Sequence, residues 1–168
     1  MRRSFIVPFA LLVFAAPAVA AEPPGASAVV EALDQACRVY VKGRDYEGYQ
    51  AAAGELGIKD YFGTLVRRDP GVDIFAIAAT AEAPFARRCT IALDGPPALA
   101  EPVPAAIAAW ARANGFKSDG APTTRTNKDG RPYAETFWKA PGARLQLNAF
   151  GVGPGGRANV TVTWSVGD

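Results

Sequence analysis

The 168-residue chain contains no histidine and only two cysteines, and its 18 basic and 16 acidic side chains give a formal net charge of +2. Without histidine, Ser-His-Asp and Cys-His catalytic sites and histidine-rich zinc sites are excluded, and two cysteines are too few for a four-cysteine metal site. We therefore predict neither a metal nor a cofactor. A chain of this length can form one domain with its own hydrophobic core.

The first twenty residues have the composition of an export signal. Arg2 and Arg3 form a short basic region, residues 5–16 are apolar, and Ala18-Val19-Ala20 matches a small-x-small cleavage site. The apolar run is too short to cross a bilayer, although an uncleaved anchor is the alternative reading. The twin arginine could also direct a twin-arginine route rather than the ordinary one. The sequence therefore predicts a cleaved signal peptide over residues 1–20.

The remaining residues, 21–168, are predicted to form a single globular domain in the periplasm or outside the cell. Removal of Arg2 and Arg3 leaves 16 basic and 16 acidic side chains, so this domain is neutral. A neutral domain has no overall field that attracts nucleic acid or an anionic membrane. We therefore expect no nucleic-acid partner and no stable membrane insertion after cleavage. The oligomeric state is left open.

Helical periodicity and capping residues predict three helices. The first covers Ser27–Lys42, and the second begins at Asp45 and ends near Leu56. The third opens at Pro102 and ends at Asn114. Two helices therefore precede all the predicted strands, and one lies in the middle of the chain.

Six strands are predicted from β-branched and alternating segments, and the last three form an antiparallel meander. Leu145 and Leu147 alternate with Gln146 and Asn148, which is typical of a sheet covered on one face. The fold class is therefore α+β, with two N-terminal helices and one middle helix packed on one face of an antiparallel sheet. The six segments are Tyr61–Arg67, Val72–Thr80, Arg87–Leu93, Tyr133–Lys139, Arg144–Phe150 and Ala158–Val166.

The two cysteines lie on apolar faces of predicted elements. Cys37 shares a helical face with Leu33 and Val41, and Cys89 alternates in phase with Ile91. A helix face that covers this sheet face would bring the two sulfurs together. In an oxidising compartment two cysteines most simply form a disulfide, although free thiols are the alternative. We predict a Cys37–Cys89 disulfide.

The stretch Gly151–Arg157 contains the spacing G-x-G-x-x-G. A dinucleotide site requires a helix after these glycines, but the residues that follow alternate with a period of two and predict a strand. Pro154 also removes an N–H that a phosphate cradle would use. We therefore interpret this stretch as the loop that joins the last two strands.

Carboxylates could catalyse hydrolysis without histidine, as they do in glycosidases. Asp73 and Glu135 are candidates because both lie on predicted strands. The alternative is that both are solvated or ion-paired on the polar face. No motif singles out a catalytic pair, so the catalytic residues are unknown.

A binding surface on the polar face of the sheet is the other hypothesis. Arg67 and Arg88 could face this side on adjacent strands and hold an anion, or they could simply protect strand edges against aggregation. Trp138 and Phe137 point in opposite directions, so one of them must leave the core. The candidate surface consists of Arg67, Arg88, Glu135, Trp138, Gln146, Asn148 and Thr163.

These observations predict an exported, disulfide-stabilised domain that binds a protein or a glycan of the cell envelope. The alternatives are a histidine-free hydrolase that uses paired carboxylates and a structural accessory of an envelope complex. The residues favour binding over catalysis because they supply an uncovered polar surface but no recognisable catalytic motif.

Overall fold

The computed structural model describes residues 24–61, 64–80, 86–153 and 155–167. The predicted signal peptide, residues 1–20, lies outside the described residues. Within the described ranges, no helix is both long enough and apolar enough to cross a membrane.

The N-terminal helix is continuous from residue 24 to residue 43 and has three parts. The parts are α1 (Pro24–Glu31), a π-helical segment (Ala32–Cys37) and α2 (Arg38–Gly43). The chain then turns at Arg44, whose φ of 59° is left-handed. Asp45 caps the next helix, because its carboxylate accepts a hydrogen bond from the N–H of Gly48 at 2.8 Å.

Helix α3 spans Tyr46–Glu55, and α4 spans Pro102–Ala113 after a short 3₁₀ turn (Pro97–Leu99). The described ranges thus contain the two N-terminal helices and the middle helix that the periodicity predicts.

The strands of the described residues all join one antiparallel sheet. Numbered in chain order, they lie side by side in the order β1-β2-β3-β4-β9-β8-β7-β5, with β6 beside β5 on the outer edge of β7. The strands are β1 (Lys59–Tyr61), β2 (Thr64–Asp69), β3 (Val72–Thr80), β4 (Arg87–Gly95), β5 (Lys117–Ser118), β6 (Thr123–Thr126), β7 (Pro132–Ala140), β8 (Ala143–Phe150) and β9 (Ala158–Val166).

The α+β class and the C-terminal meander are confirmed, but the sheet has nine strands in the described residues rather than about six. The predicted strand Tyr61–Arg67 is divided between β1 and β2, which pair with Tyr61 opposite Thr64. The strands β5 and β6 were not predicted. Every residue of β1, β5 and β6 is exposed, so these strands have no apolar alternation from which they could be recognised.

The helices cover one face of the sheet and form the core with it. Leu33 in the π-helical segment and Ile107 of α4 are fully buried, as are Ile91 of β4 and Leu145 of β8. Trp110 of α4 packs edge-on against Trp164 of β9, with ring centroids 5.3 Å apart. We refer below to this side as the covered face and to the opposite side as the uncovered face.

The predicted disulfide between Cys37 and Cys89 is confirmed. It joins the end of the π-helical segment to β4, and its Cα atoms are 5.4 Å apart. Both cysteines are fully buried on the covered face. A structural disulfide indicates an oxidising, non-cytoplasmic compartment.

The glycine-rich stretch joins β8 to β9, which pair antiparallel with Phe150 opposite Asn159. The N–H of Gly153 donates to the carbonyl of Arg157 at 3.0 Å, and Gly156 has a φ of +68°. A left-handed residue of this kind favours glycine. A strand follows the stretch and no helix opens on it, so the loop interpretation is confirmed.

Candidate functional site

Four of the predicted surface residues lie in two neighbouring rows on the uncovered face. One row contains Thr163 and Gln146, which are cross-strand partners, and the next contains Asn148 and Glu135. Arg88 lies on the same face, opposite Ser165 of β9. The tertiary structure thus brings five of the seven predicted residues onto one surface.

Trp138 and Arg67 lie on the covered face, so their predicted orientation is wrong. Trp138 is only 5 % exposed and pairs with buried Leu145. Of these two neighbouring aromatics, Phe137 is therefore the one that faces outward, beside Gln146.

Arg67 serves a structural purpose. It pairs with buried Ile74, its Nη1 donates to the carbonyl of Leu56 at 3.2 Å, and its Nη2 lies 2.8 Å from Asp69. The side chain thereby ties the end of α3 to β2. The strands β2 and β4, which carry Arg67 and Arg88, are also not adjacent, because β3 lies between them.

Glu135 is the centre of a polar network on the uncovered face. Its carboxylate is ion-paired with Arg125 and accepts a hydrogen bond from Nε2 of Gln146 at 3.0 Å. The same Nε2 lies 3.3 Å from the Oδ1 of Asn148. Glu135 is 6 % exposed, and burial of a carboxylate requires such partners. The network holds these side chains in fixed positions on the surface.

A row of cations crosses the same face near the β7–β8 turn. The cross-strand register places Arg88, Ser165, Arg144 and Lys139 side by side on four strands. Lys139 is ion-paired with Asp119 at 2.8 Å, and the Arg144 guanidinium lies 4.0 Å from the centre of the Phe137 ring. Among the described residues, neither Arg88 nor Arg144 has a carboxylate partner. These two arginines give the row an uncompensated positive charge.

An apolar patch on β2 and β3 adjoins the cationic row. It consists of Val66, Phe75 and Ile77, and Ile77 is 51 % exposed. The apolar sequence of β3 is typical of a strand buried on both faces, but here only one face is covered. The outward side chains of this strand therefore leave apolar surface in contact with solvent.

The two carboxylates considered for hydrolysis lie far apart. Asp73 is on β3 and Glu135 is on β7, and three strands separate them in the sheet order. A spacing of about 4.8 Å between strands places them about 19 Å apart, whereas a catalytic carboxylate pair lies roughly 5–10 Å apart. Asp73 and Glu135 therefore cannot act as such a pair in this fold.

Asp73 instead faces Asp94, its cross-strand neighbour. The guanidinium of Arg157 lies 2.8 Å from the carboxylate of Asp94 and 3.1 Å from that of Asp73. Both carboxylates are therefore engaged by a single guanidinium. This cluster anchors the glycine-rich loop to β3 and β4.

A cavity of about 420 Å³ lies on the covered side of the sheet, between α2 and the β7–β8 turn. Its walls include Phe116, Trp164 and residues 140–143, and two cations, Arg38 and Lys42, lie at one side. Among the described residues, its lining contains no carboxylate. We call this space the α2 cavity.

The cationic side of the α2 cavity is held by hydrogen bonds. The Nη2 of Arg38 donates to the Oδ1 of Asn114 at 2.6 Å and is ion-paired with Asp34, which also accepts a hydrogen bond from the indole N–H of Trp110 at 3.1 Å. The Arg38 hydrogen bond is the main reason why the pKa of Asp34 is lowered; burial opposes it, and the Trp110 hydrogen bond adds to it.

The lowered pKa of Asp34 predicts a dependence of stability on pH. The ionised carboxylate stabilises the folded state fully above its unfolded-state pKa, near 3.8, and this contribution is lost as the pH falls through the lower folded-state pKa. We expect D34N to reduce the free energy of unfolding by about 0.5–1 kcal/mol at pH 7, because the ion pair is half exposed. The difference from wild type should shrink below pH 4.

Urea denaturation at pH 7 and at pH 3 measures this difference. E55Q serves as the control, since it removes an exposed carboxylate elsewhere. A D34N deficit that is as large at pH 3 as at pH 7 would contradict the assignment.

A wider and shallower groove of about 730 Å³ lies along β1 and β2. Its lining contains both carboxylates and cations, and Arg67 and Asp69 pair with each other within it. The guanidinium of Arg68 lies over the ring of Tyr61 at 5.0 Å. Because several of these groups already have partners, the groove offers less for a ligand than the α2 cavity does.

The α2 cavity was missed by the sequence analysis. Its lining residues come from four distant parts of the chain, around residues 40, 115, 141 and 165. One signal was available: Arg38 and Lys42 are four residues apart and therefore share a helix face. The partners of that face could not be recognised from sequence.

Fold and disulfide define the chain as a small α+β domain in which helices cover one face of a large antiparallel sheet. Comparison with protein-family models, curated proteins and solved structures finds no match for this chain. In the described residues, no group of three or more histidine, cysteine, aspartate or glutamate side chains could hold a metal ion.

Proposed function

We propose that this chain is an exported domain that binds an acidic surface of another protein through the uncovered face of its sheet. The predicted signal peptide and the disulfide, which suits an oxidising compartment, support export. The observation that carries the binding proposal is the combination on one face of an apolar patch and a row of unpaired arginines.

The shape of this face favours a protein partner. Small ligands bind mostly in concave sites, whereas protein interfaces are wide and need little depth. From β2 to β7 the sheet spans about 24 Å at the usual strand spacing. The face thus has the width of a protein contact.

Its chemistry resembles that of protein interfaces. Such interfaces join a desolvated apolar centre to a polar rim and are enriched in arginine and aromatic residues. Val66, Phe75 and Ile77 would form the apolar part, and Arg88 and Arg144 would face carboxylates of the partner. Electrostatic complementarity of this kind selects the partner and speeds association.

Site-specific photo-crosslinking in intact cells tests this proposal. A benzoylphenylalanine at Thr163, on the uncovered face, should form an adduct with one protein that mass spectrometry identifies. The same group at exposed Gln50 of α3 is the matched control and should not form this adduct. Equal crosslinking from both positions, or an adduct with a glycan alone, would contradict the proposal.

Charge reversal then tests the arginines with the purified partner. We expect R88E and R144E each to weaken binding about tenfold or more, since they place like charges together. R112E, on exposed Arg112 of α4, is the control and should bind as the wild type does. Wild-type affinity of R88E and R144E would overturn the assigned face.

A further inference from the structure

The wall of the α2 cavity includes side chains whose polar atoms have no partner among the described residues. Trp164, in its wall, is 4 % exposed, and its indole N–H is buried and has no hydrogen-bond acceptor within the described ranges. Burial of a donor without an acceptor is unfavourable, and such groups are rare in folded proteins. The wall of the cavity thus includes an indole whose N–H the described residues leave unsatisfied.

The cations of the cavity are only partly compensated. Arg38 uses its Nε and Nη2 on Asp34 and Asn114, and its Nη1 has no acceptor among the described residues. Lys42 forms no ion pair within the described residues. A lysine near the end of a helix also stabilises the helix dipole. That effect accounts for Lys42 alone and leaves the Nη1 of Arg38 without an acceptor in the described residues.

A third cation lies close by. Arg87 pairs with Val166, which lines the cavity, and its Nη2 donates to the carbonyl of Gly167 at 3.4 Å. Its Nε is buried and has no hydrogen-bond partner in the part of the chain that the structure describes. The potential around the α2 cavity is therefore positive, and among the described residues only the carboxylate of Asp34 contacts its cations.

The remainder of the cavity is apolar and aromatic. The rings of Phe116 and Trp164 meet edge to face with centroids 6.0 Å apart, and both residues are buried. Ala140, Pro141 and Val166 complete this part of the wall. The volume of about 420 Å³ lies within the range of small-molecule sites, roughly 300–1,000 Å³.

The backbone beside the cavity is also unusual. The π-helical segment Ala32–Cys37 ends immediately before Arg38 and carries Asp34. π-Helical segments are rare and occur frequently at functional sites. Here the segment lies between the disulfide and the cations, and the disulfide anchors it to β4.

We propose that the α2 cavity binds a small organic acid with a flat apolar body. The carboxylate of the ligand would lie between Lys42 and the Nη1 of Arg38, and the apolar body would lie against Phe116 and Trp164. This site is independent of the proposed protein-binding face, because it lies on the covered side of the sheet.

Titration of the full chain with 2-naphthoate, followed by calorimetry and by the indole N–H signals in NMR spectra, tests the proposal. We expect 2-naphthoate to bind and to shift the indole signal of Trp164 more than those of Trp110 and Trp138, with W164F used to assign the signal. The neutral isostere 2-naphthamide should bind at least about tenfold more weakly, since it lacks the charge.

Two lysine variants locate the site. We expect K42M to weaken 2-naphthoate binding about tenfold or more, whereas K128M, in the exposed Asn127–Gly130 turn, should leave it unchanged. Both changes affect exposed side chains, so folding should be preserved. Absence of binding at millimolar naphthoate, equal affinity for the amide, or unchanged affinity of K42M would each overturn the proposal.

Discussion

The double variant C37A/C89A is expected to have a free energy of unfolding about 4 kcal/mol below that of the wild type. The disulfide spans 52 residues of sequence, and cross-linking a loop of this length removes much of the conformational entropy of the unfolded chain. For a domain of this size, such a loss corresponds to a melting temperature about 8–16 °C lower. Thermal unfolding followed by circular dichroism measures the shift.

Reduction provides the matched control for this variant. A reducing agent should lower the melting temperature of the wild type by a similar amount and leave that of C37A/C89A unchanged. A wild type whose unfolding does not respond to reduction, with both thiols free in an assay of the unfolded, unreduced protein, would contradict the disulfide.

The variant I91A is expected to lose about 2–5 kcal/mol of stability. Ile91 is fully buried on the central strand β4, between Ala76 and Val162 in the register of the sheet. Its truncation removes apolar contacts and leaves a cavity that rigid neighbouring strands can fill only in part. Urea denaturation at constant pH measures the change.

Thr161 supplies the control for the assignment of the two faces. It lies on β9, opposite Ala92, and faces the uncovered side next to Val162. T161A should change the free energy of unfolding by only about 0.5 kcal/mol, as is usual at surface positions. A cost for T161A as large as that for I91A would mean that the uncovered face is buried by something else.

Long elements could be predicted from the sequence because each has a clear periodicity. In β8 and β9 the alternation of Leu145 with Gln146 and of Val162 with Thr163 separates the covered from the uncovered side. Cys37 and Cys89 are each in phase with apolar neighbours, which places both on buried faces. Their pairing then follows from the expected oxidising compartment and from the presence of only two cysteines.

Short edge strands could not be predicted in the same way. The residues of β5 and β6 are all exposed, and both strands pair with β7 through backbone hydrogen bonds. Backbone pairing of this kind depends on the neighbouring strand and leaves little trace in side-chain pattern. The division of the segment around Tyr61 into two strands escaped the sequence analysis for the same reason.

The candidate site was only partly predictable. Alternation shows that Phe137 and Trp138 point to opposite faces, but both are apolar aromatics, so the pattern cannot tell which one is buried. The helices decide it, because they cover the side on which Trp138 lies beside Leu145. Arg67 was misassigned because its aliphatic stem and charged end suit either face.

By itself, the amino-acid sequence determined the class of fold, the pairing of Cys37 with Cys89 and the exclusion of histidine chemistry, because these depend on periodicity and on residue counts. Only the tertiary structure decided which residues share a surface. The row from Arg88 to Lys139 depends on strand register, and the α2 cavity depends on the packing of a helix against a distant turn. Long-range pairing joins residues far apart in the chain, and no local pattern records it.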